Sequence, residues 1–91
     1  MELIYESNRI YSKDKDGNVV AEILFPAIDS NTVNITRTFV DESLRGQGVA
    51  GILMQAAMSL IRTQEKKVKL TCSYAKKWID NHEQYMSMVV E

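Results

Sequence analysis

The sequence predicts an α/β domain in which a mainly antiparallel sheet is joined to one parallel β-α-β unit. Residues 32–40 alternate polar and apolar side chains, as a half-buried strand does. A long helical pattern follows, and then a short apolar strand at residues 68–72. Because a right-handed crossover returns the chain parallel to its starting strand, these three segments predict the β-α-β unit.

The N-terminal third predicts the antiparallel part. Residues 3–7 and 9–13 are rich in β-forming side chains and are expected to be paired strands. An Asp-Gly pair within residues 14–18 is typical of a tight hairpin turn, so residues 19–25 are predicted to be the return strand. Pro26 ends that strand, because proline cannot donate to a ladder.

The strand at residues 32–40 is predicted to run straight, with two distinct faces. Strict alternation assigns Val33, Ile35 and Phe39 to the apolar face and Asn34, Thr36 and Thr38 to the polar face. Arg37 falls on the apolar face, where an unpaired arginine is costly. Two interpretations stay open for Arg37: a functional role, or a side chain that reaches out at an edge of the sheet.

The next segment is a two-glycine turn that leads directly into an amphipathic helix. Apolar residues recur from Val49 to Ile61 at helical spacing, which predicts one buried face. Around Gly46 and Gly48 the sequence offers no Ser, Thr, Asp or Asn to cap the helix, so its first N–H groups are available. Such donors at a helix N-terminus favour an anion. The alternative is a purely structural glycine turn.

The C-terminal part is expected to complete the unit. Residues 68–72 are predicted to place Val68, Leu70 and Cys72 on one face, and Ser73 is predicted to cap a helix whose inner face includes Trp78. That helix is expected to end near His82, a packing or capping residue. Residues 83–90 are predicted to form one more helical turn or a docked tail.

Composition limits the function classes. A chain of 91 residues is expected to form one domain, residues 1–91. Its net charge of −1 and mixed charges argue against a nucleic-acid or membrane surface. With no apparent leader or membrane-spanning stretch, a cytoplasmic protein is expected. One cysteine and one histidine argue against a disulfide, a zinc site or another metal site.

The glycine turn resembles motif A of the GNAT superfamily of acetyltransferases, whose pattern is [R/Q]-x-x-G-x-[G/A]. Arg45, Gly48 and Ala50 fill its defined positions. From about Val19 onward, the order of segments is similar to that of the short single-domain GNAT proteins. The resemblance implies a GNAT-like sheet whose two parallel strands splay apart to admit acetyl-CoA. The cofactor-binding residues that it implies are Phe39, Val40, Arg45, Gly46, Gln47, Gly48, Val49, Ala50, Tyr74 and Lys77.

The resemblance also implies a reaction: transfer of an acetyl group from acetyl-CoA to an unidentified amine, by direct attack in a ternary complex. Cys72 and Arg37 are the catalytic candidates. Cys72 could protonate the departing thiolate or accept the acetyl group, or it could simply be a small buried side chain. Short GNAT proteins often carry a histidine where this chain has Arg37, and an arginine could only bind an anion or stabilise charge.

Two other functions are compatible with the same residues. One is a non-catalytic acetyl-CoA or CoA-binding module, acting as a sensor or as a partner-dependent subunit. The other is a small interaction domain with a vestigial glycine loop. Either a monomer or a homodimer is compatible with the sequence.

Overall fold

The first half of the chain folds back on itself through tight turns. The computed structural model describes residues 1–90, so Glu91 of the predicted domain lies outside the described part. Strands β1 (Ile4–Glu6), β2 (Arg9–Lys13) and β3 (Val19–Leu24) pair antiparallel in that order. The turn between β2 and β3 contains Gly17 at φ 85°, a left-handed conformation that glycine adopts without steric cost. The predicted hairpin is confirmed.

The predicted strand at residues 32–40 is two strands, β4 (Thr32–Ile35) and β5 (Arg37–Val40), separated at Thr36. Strand β5 pairs antiparallel with β3, which gives a four-stranded sheet in the order β1-β2-β3-β5. Strand β4 instead pairs in parallel with β6 (Lys67–Leu70). The chain at Thr36 therefore links a mainly antiparallel sheet to a parallel pair, which confirms the predicted fold class.

The break at Thr36 reverses the faces of the strand. Val33 and Ile35 are fully buried in the core, whereas in β5 the register sets Thr38 and Val40 opposite the buried side chains of Ile23 and Ala21. One additional residue between the two strands shifts the alternation by one position. The prediction that Arg37 and Phe39 share the face of Val33 and Ile35 is therefore wrong, because both side chains lie on the opposite face of β5.

Helix α1 (Val49–Thr63) covers one face of the larger sheet, as its amphipathic pattern predicts. It follows a 3₁₀ turn (Glu42–Leu44) and packs on β2, β3 and β5. Its buried residues are Val49, Leu53, Met54, Ala57, Met58 and Ile61. These side chains join Ile10, Ala21, Ile23 and Phe25 in the core. The face that α1 covers is called the helix face below, and the opposite one the reverse face.

The C-terminal elements differ in detail from the expectation. Strand β6 ends at Leu70, and Cys72 is the N-cap of helix α2 (Ser73–Ile79). The prediction that Ser73 caps this helix is wrong, since Ser73 is already in its first turn. His82 stacks on Trp78 with ring centroids 3.5 Å apart, and a final 3₁₀ segment (Glu83–Met88) follows. Within residues 1–90, neither helix is long and apolar enough to cross a membrane.

Candidate functional site

The two parallel strands diverge after Ile35, and the gap between β5 and the chain that follows β6 is called the cleft below. The last contacts between them are made by the carbonyl oxygen of Ile35, which accepts from the backbone N–H groups of Thr71 and Cys72, both at 3.1 Å. Beyond that point β5 is the outer strand of its sheet, paired with β3 on one side only. Within residues 1–90, the N–H and C=O groups of Thr38 and Val40, which lie on the other side of β5, are therefore left without a strand partner. We call this side of β5 the open edge.

The glycine turn, residues 45–50, follows β5 after the 3₁₀ turn (Glu42–Leu44). Gly46 and Gly48 have φ of 81° and 75°, and Gly48 is the N-cap of α1 without any side-chain capping bond. A Cβ atom added to either glycine would meet nothing within 4 Å. Within residues 1–90, no N-cap side chain accepts from the first N–H groups of α1, which lie at the positive end of a 15-residue helix. This arrangement suits an anion such as a phosphate.

Local hydrogen bonds fix the chain between the open edge and the glycine turn. The Asp41 carboxylate accepts from the N–H and the hydroxyl of Ser43, at 3.0 and 2.6 Å. The Ser43 hydroxyl and N–H together hold the pKa of Asp41 below its usual value. Arg45 donates from Nε to the Val40 carbonyl at 3.4 Å, and Gln47 donates to the Ser43 carbonyl at 3.4 Å. The turn is thus held by its own polar groups.

A small cavity of about 150 Å³ lies between the glycine turn and helix α2. It is lined by Val40, Leu44, Arg45, Gly46, Gly48, Val49, Ala50, Gly51 and Tyr74. Burial raises the pKa of Tyr74, whose hydroxyl lies 3.7 Å from the position that a Cβ of residue 51 would take. Most of the predicted cofactor-binding residues therefore meet at one cavity.

The remaining predicted residues lie around this cavity. Gln47 is exposed on the turn, Phe39 lies in β5 with its backbone N–H and C=O toward β3, and Lys77 is exposed on α2 outside the cavity lining. Sequence reasoning missed Leu44 and Gly51. An apolar residue in an otherwise polar turn could have indicated Leu44, and a glycine in the first turn of α1 could have indicated Gly51.

Cys72 lies at the inner end of the cleft. Its thiol is half-buried and donates to the Thr38 hydroxyl, with Sγ and Oγ1 3.6 Å apart. Desolvation by burial raises the pKa of this thiol. Hydrogen bonds that the N–H of Ala75, the Thr38 hydroxyl and the N–H of Tyr74 donate to the deprotonated sulfur outweigh desolvation, so the pKa is lowered overall. A thiol of lowered pKa is both a better acid and a more abundant thiolate.

Arg37 lies on the reverse face of β5, away from Cys72. Its side chain is 55% exposed, with Nε 3.6 Å from the nearer carboxylate oxygen of Glu22 and the guanidinium 5.2 Å from the centre of the Phe39 ring. Thr38, which contacts Cys72, points to the helix face instead. The structure therefore places Arg37 and Cys72, the two catalytic candidates, at opposite faces of β5.

Known proteins resemble this chain in sequence. The family model for GCN5-related N-acetyl-transferase matches residues 9–88. The protein NATD1 of Danio rerio is 32% identical over 72 residues, which cover 77% of this chain and 66% of that protein. This chain thus spans slightly under two thirds of the length of that curated relative.

Solved structures share the fold. The solution structure of a GCN5-like protein from Staphylococcus aureus superposes with a TM-score of 0.79 at 31% identity, covering 98% of this chain and 87% of that one. The GNAT family N-acetyltransferase YhbS from Escherichia coli, solved in complex with CoA, superposes with a TM-score of 0.57 at 24% identity. That match covers 66% of this chain and 37% of YhbS, and it shows a common fold.

Proposed function

Because the chain belongs to the GCN5-related N-acetyltransferase family, we propose that it transfers the acetyl group of acetyl-CoA to an amine by direct attack in a ternary complex. One observation carries the proposal: an uncapped glycine turn with open space above it stands beside the unpaired edge of β5. The turn offers donors for phosphate, and the edge offers donors and acceptors for the amides of a pantetheine arm.

The binding residues follow from this arrangement. The backbone N–H groups from Gly46 to Ala50 would hold the pyrophosphate, with the exposed Arg45 guanidinium adding charge-assisted hydrogen bonds. The N–H and C=O groups of Thr38 and Val40 on the open edge would pair with the pantetheine, as an added strand does, whereas those of Phe39 face β3. Tyr74 would close the cavity from α2. The fold neighbour YhbS was solved in complex with CoA, which supports CoA as the ligand.

The chemistry requires few groups from the protein. The amine nitrogen bonds to the thioester carbonyl carbon, the C–S bond breaks with its electrons on sulfur, and the amine loses one proton to water while the leaving thiolate gains one. The residue proposed to give a proton to the leaving thiolate is Cys72, whose own thiolate then takes a proton from water. Its lowered pKa makes it a stronger acid than an ordinary thiol, whereas the raised pKa of Tyr74 makes that phenol a weaker one.

A second candidate function rests on the exposed reverse face. Helix α1 packs on the helix face, and α2 packs against α1, β6 and the final 3₁₀ segment. Within residues 1–90, the part of the reverse face around Arg37 is thus left exposed, without a helix to enclose an acceptor. A non-catalytic acetyl-CoA-binding module would have the same turn and open edge and would need no acceptor wall.

Thermal unfolding with acetyl-CoA and with CoA tests the cofactor. A ligand at a hundred times its dissociation constant adds about 2.7 kcal/mol, which corresponds to roughly 11–22 °C in the midpoint of a domain of this size. Gly48→Glu should abolish the shift, because it places a carboxylate where the phosphate would bind. No shift of the unsubstituted protein at millimolar ligand would refute the proposal.

Release of CoA in the presence of an amine panel then separates the two functions. Turnover above the spontaneous rate, lost in Gly48→Glu, identifies an acetyltransferase. Binding of acetyl-CoA without turnover of any amine identifies the binding module instead.

A further inference from the structure

The reverse face of the sheet carries a line of charged side chains that ends beside the cleft. Glu6, Arg9, Glu22 and Arg37 follow one another across β1, β2, β3 and β5. Arg37 is the last member of this line, and it belongs to the strand whose open edge borders the cleft.

The four charged side chains are not paired equally closely. Arg9 donates from Nε to one oxygen of Glu22 at 2.7 Å, its Nη2 lies 2.6 Å from the same oxygen, and its third nitrogen lies 3.5 Å from Glu6. Arg37 lies 3.6 Å from the other oxygen of Glu22. Because Glu22 is already held by Arg9 at much shorter distances, Arg37 is the member of the line with spare capacity for an anion.

The exposure of the two partners agrees with this division. The Glu22 side chain is 16% exposed, whereas that of Arg37 is 55% exposed. A guanidinium presents several N–H donors in a planar fork that fits two carboxylate oxygens. The Phe39 ring lies beneath the guanidinium and adds an apolar surface at the same place.

The position of Arg37 relates it to the acceptor. The glycine turn and the cavity lie at the N-terminus of α1, on the helix face. If acetyl-CoA occupies that side, an amine that reaches the cleft from the reverse face passes Arg37 and Phe39 first. The geometry points to an acceptor that is an amino carboxylate, with its carboxylate bound by Arg37. This inference rests on the proposed acetyl transfer.

The charge of Glu22 favours a carboxylate over a phosphate. A phosphate monoester carries about −1.5 to −2 charges at neutral pH, and it would lie within a few ångströms of the Glu22 carboxylate. A single negative charge meets less of that repulsion. The inference therefore commits to a carboxylate, and a preference for phosphate would contradict it.

The test is an NMR titration of the full chain saturated with CoA. The probes are glycine, β-alanine, 4-aminobutyrate and the common L-amino acids, each paired with its amide, together with 2-aminoethyl phosphate. At least one acid should shift the Arg37 Nε–H and Phe39 resonances, and its amide should bind roughly tenfold to hundredfold more weakly, the loss expected for a hydrogen bond to a charged group.

Variants link the effect to the guanidinium. Arg37→Gln should lose the preference for the acid over the amide, and Arg37→Lys should recover only part of it, because an ammonium lacks the planar fork. Lys13→Gln is the matched control, because Lys13 is an exposed cation whose Nζ lies above the Tyr11 ring on the same face. It should leave the preference unchanged. Arg37 is exposed, so the urea midpoint of Arg37→Gln should match that of Lys13→Gln.

The outcomes separate this inference from the proposed function. CoA binding with equal affinity for acids and amides, with a preference for the phosphate, or with no shift at Arg37 by any acid would overturn the inference and leave the cofactor assignment intact. Failure of the unsubstituted protein to bind CoA would refute the proposed function first, and the inference with it.

Discussion

Substitution of Gly48 by alanine separates the two reasons for a glycine at that position. Gly48 has φ 75°, and a methyl group there would meet nothing within 4 Å. The cost to folding is therefore the left-handed backbone alone, about 1 kcal/mol. That loss corresponds to a fall of roughly 4–8 °C in the unfolding midpoint.

The hairpin provides a matched control. Gly17 has φ 85° and is equally open, but it lies in the turn between β2 and β3. Gly17→Ala and Gly48→Ala should therefore lose similar free energies of unfolding, measured by urea denaturation. Only Gly48→Ala adds a methyl group to the space above the first N–H groups of α1.

The affinity for CoA, measured by calorimetry, should distinguish the two variants. Gly17→Ala should bind as the unsubstituted protein does. Gly48→Ala should bind roughly tenfold to hundredfold more weakly, because displacing the phosphate weakens one or more charge-assisted hydrogen bonds. Equal CoA affinities for the two variants would show that the glycine serves the backbone alone, and would refute the assignment of the turn to phosphate.

Two further predictions concern Cys72 and the core. The rate of Cys72 alkylation should rise with pH at a lower midpoint in the folded than in the unfolded protein. Thr38→Val should move that midpoint upward, because it removes a hydroxyl that lowers the thiol pKa. A midpoint unmoved by Thr38→Val would contradict the role of the hydroxyl. In urea denaturation, Leu53→Ala should cost about 2–5 kcal/mol, whereas the neighbouring Ile52→Ala should cost about 1 kcal/mol or less, since Leu53 is 0% and Ile52 46% exposed. Similar losses would contradict the assignment of the buried face of α1.

Much of the fold could be predicted from local patterns. The Asp-Gly hairpin turn, the return strand β3, the buried face of α1 and the parallel β4–β6 pair follow from turn chemistry, periodicity and crossover handedness. The glycine turn could also be predicted, because glycine favours tight turns and no capping side chain precedes the helix. Each of these signals lies within a short stretch of sequence.

The errors occurred where distant strands compete for one segment. Residues 32–40 alternate without interruption in the sequence, yet the chain pairs with β6 before Thr36 and with β3 after it. Where the pairing partner changes, one residue lies between the two strands, so each later side chain of this segment lies on the face opposite to the one that strict alternation predicts. The end of β6 at Leu70 has a related cause, because the chain leaves β4 once Thr71 and Cys72 both bond to Ile35.

The sequence by itself determined the elements, the family resemblance and the turn at the head of α1, since backbone conformation and amphipathic periodicity are properties of neighbouring residues. Only the tertiary structure decided where Arg37 and Cys72 lie relative to each other. Arg37 lies on the reverse face of β5, and Cys72 contacts Thr38 on the helix face. This separation depends on the register of β5 against β3 and on the point at which β4 and β6 diverge. Those long-range pairings cannot be predicted from the local pattern, because their hydrogen bonds are made by backbone groups that all residues except proline carry.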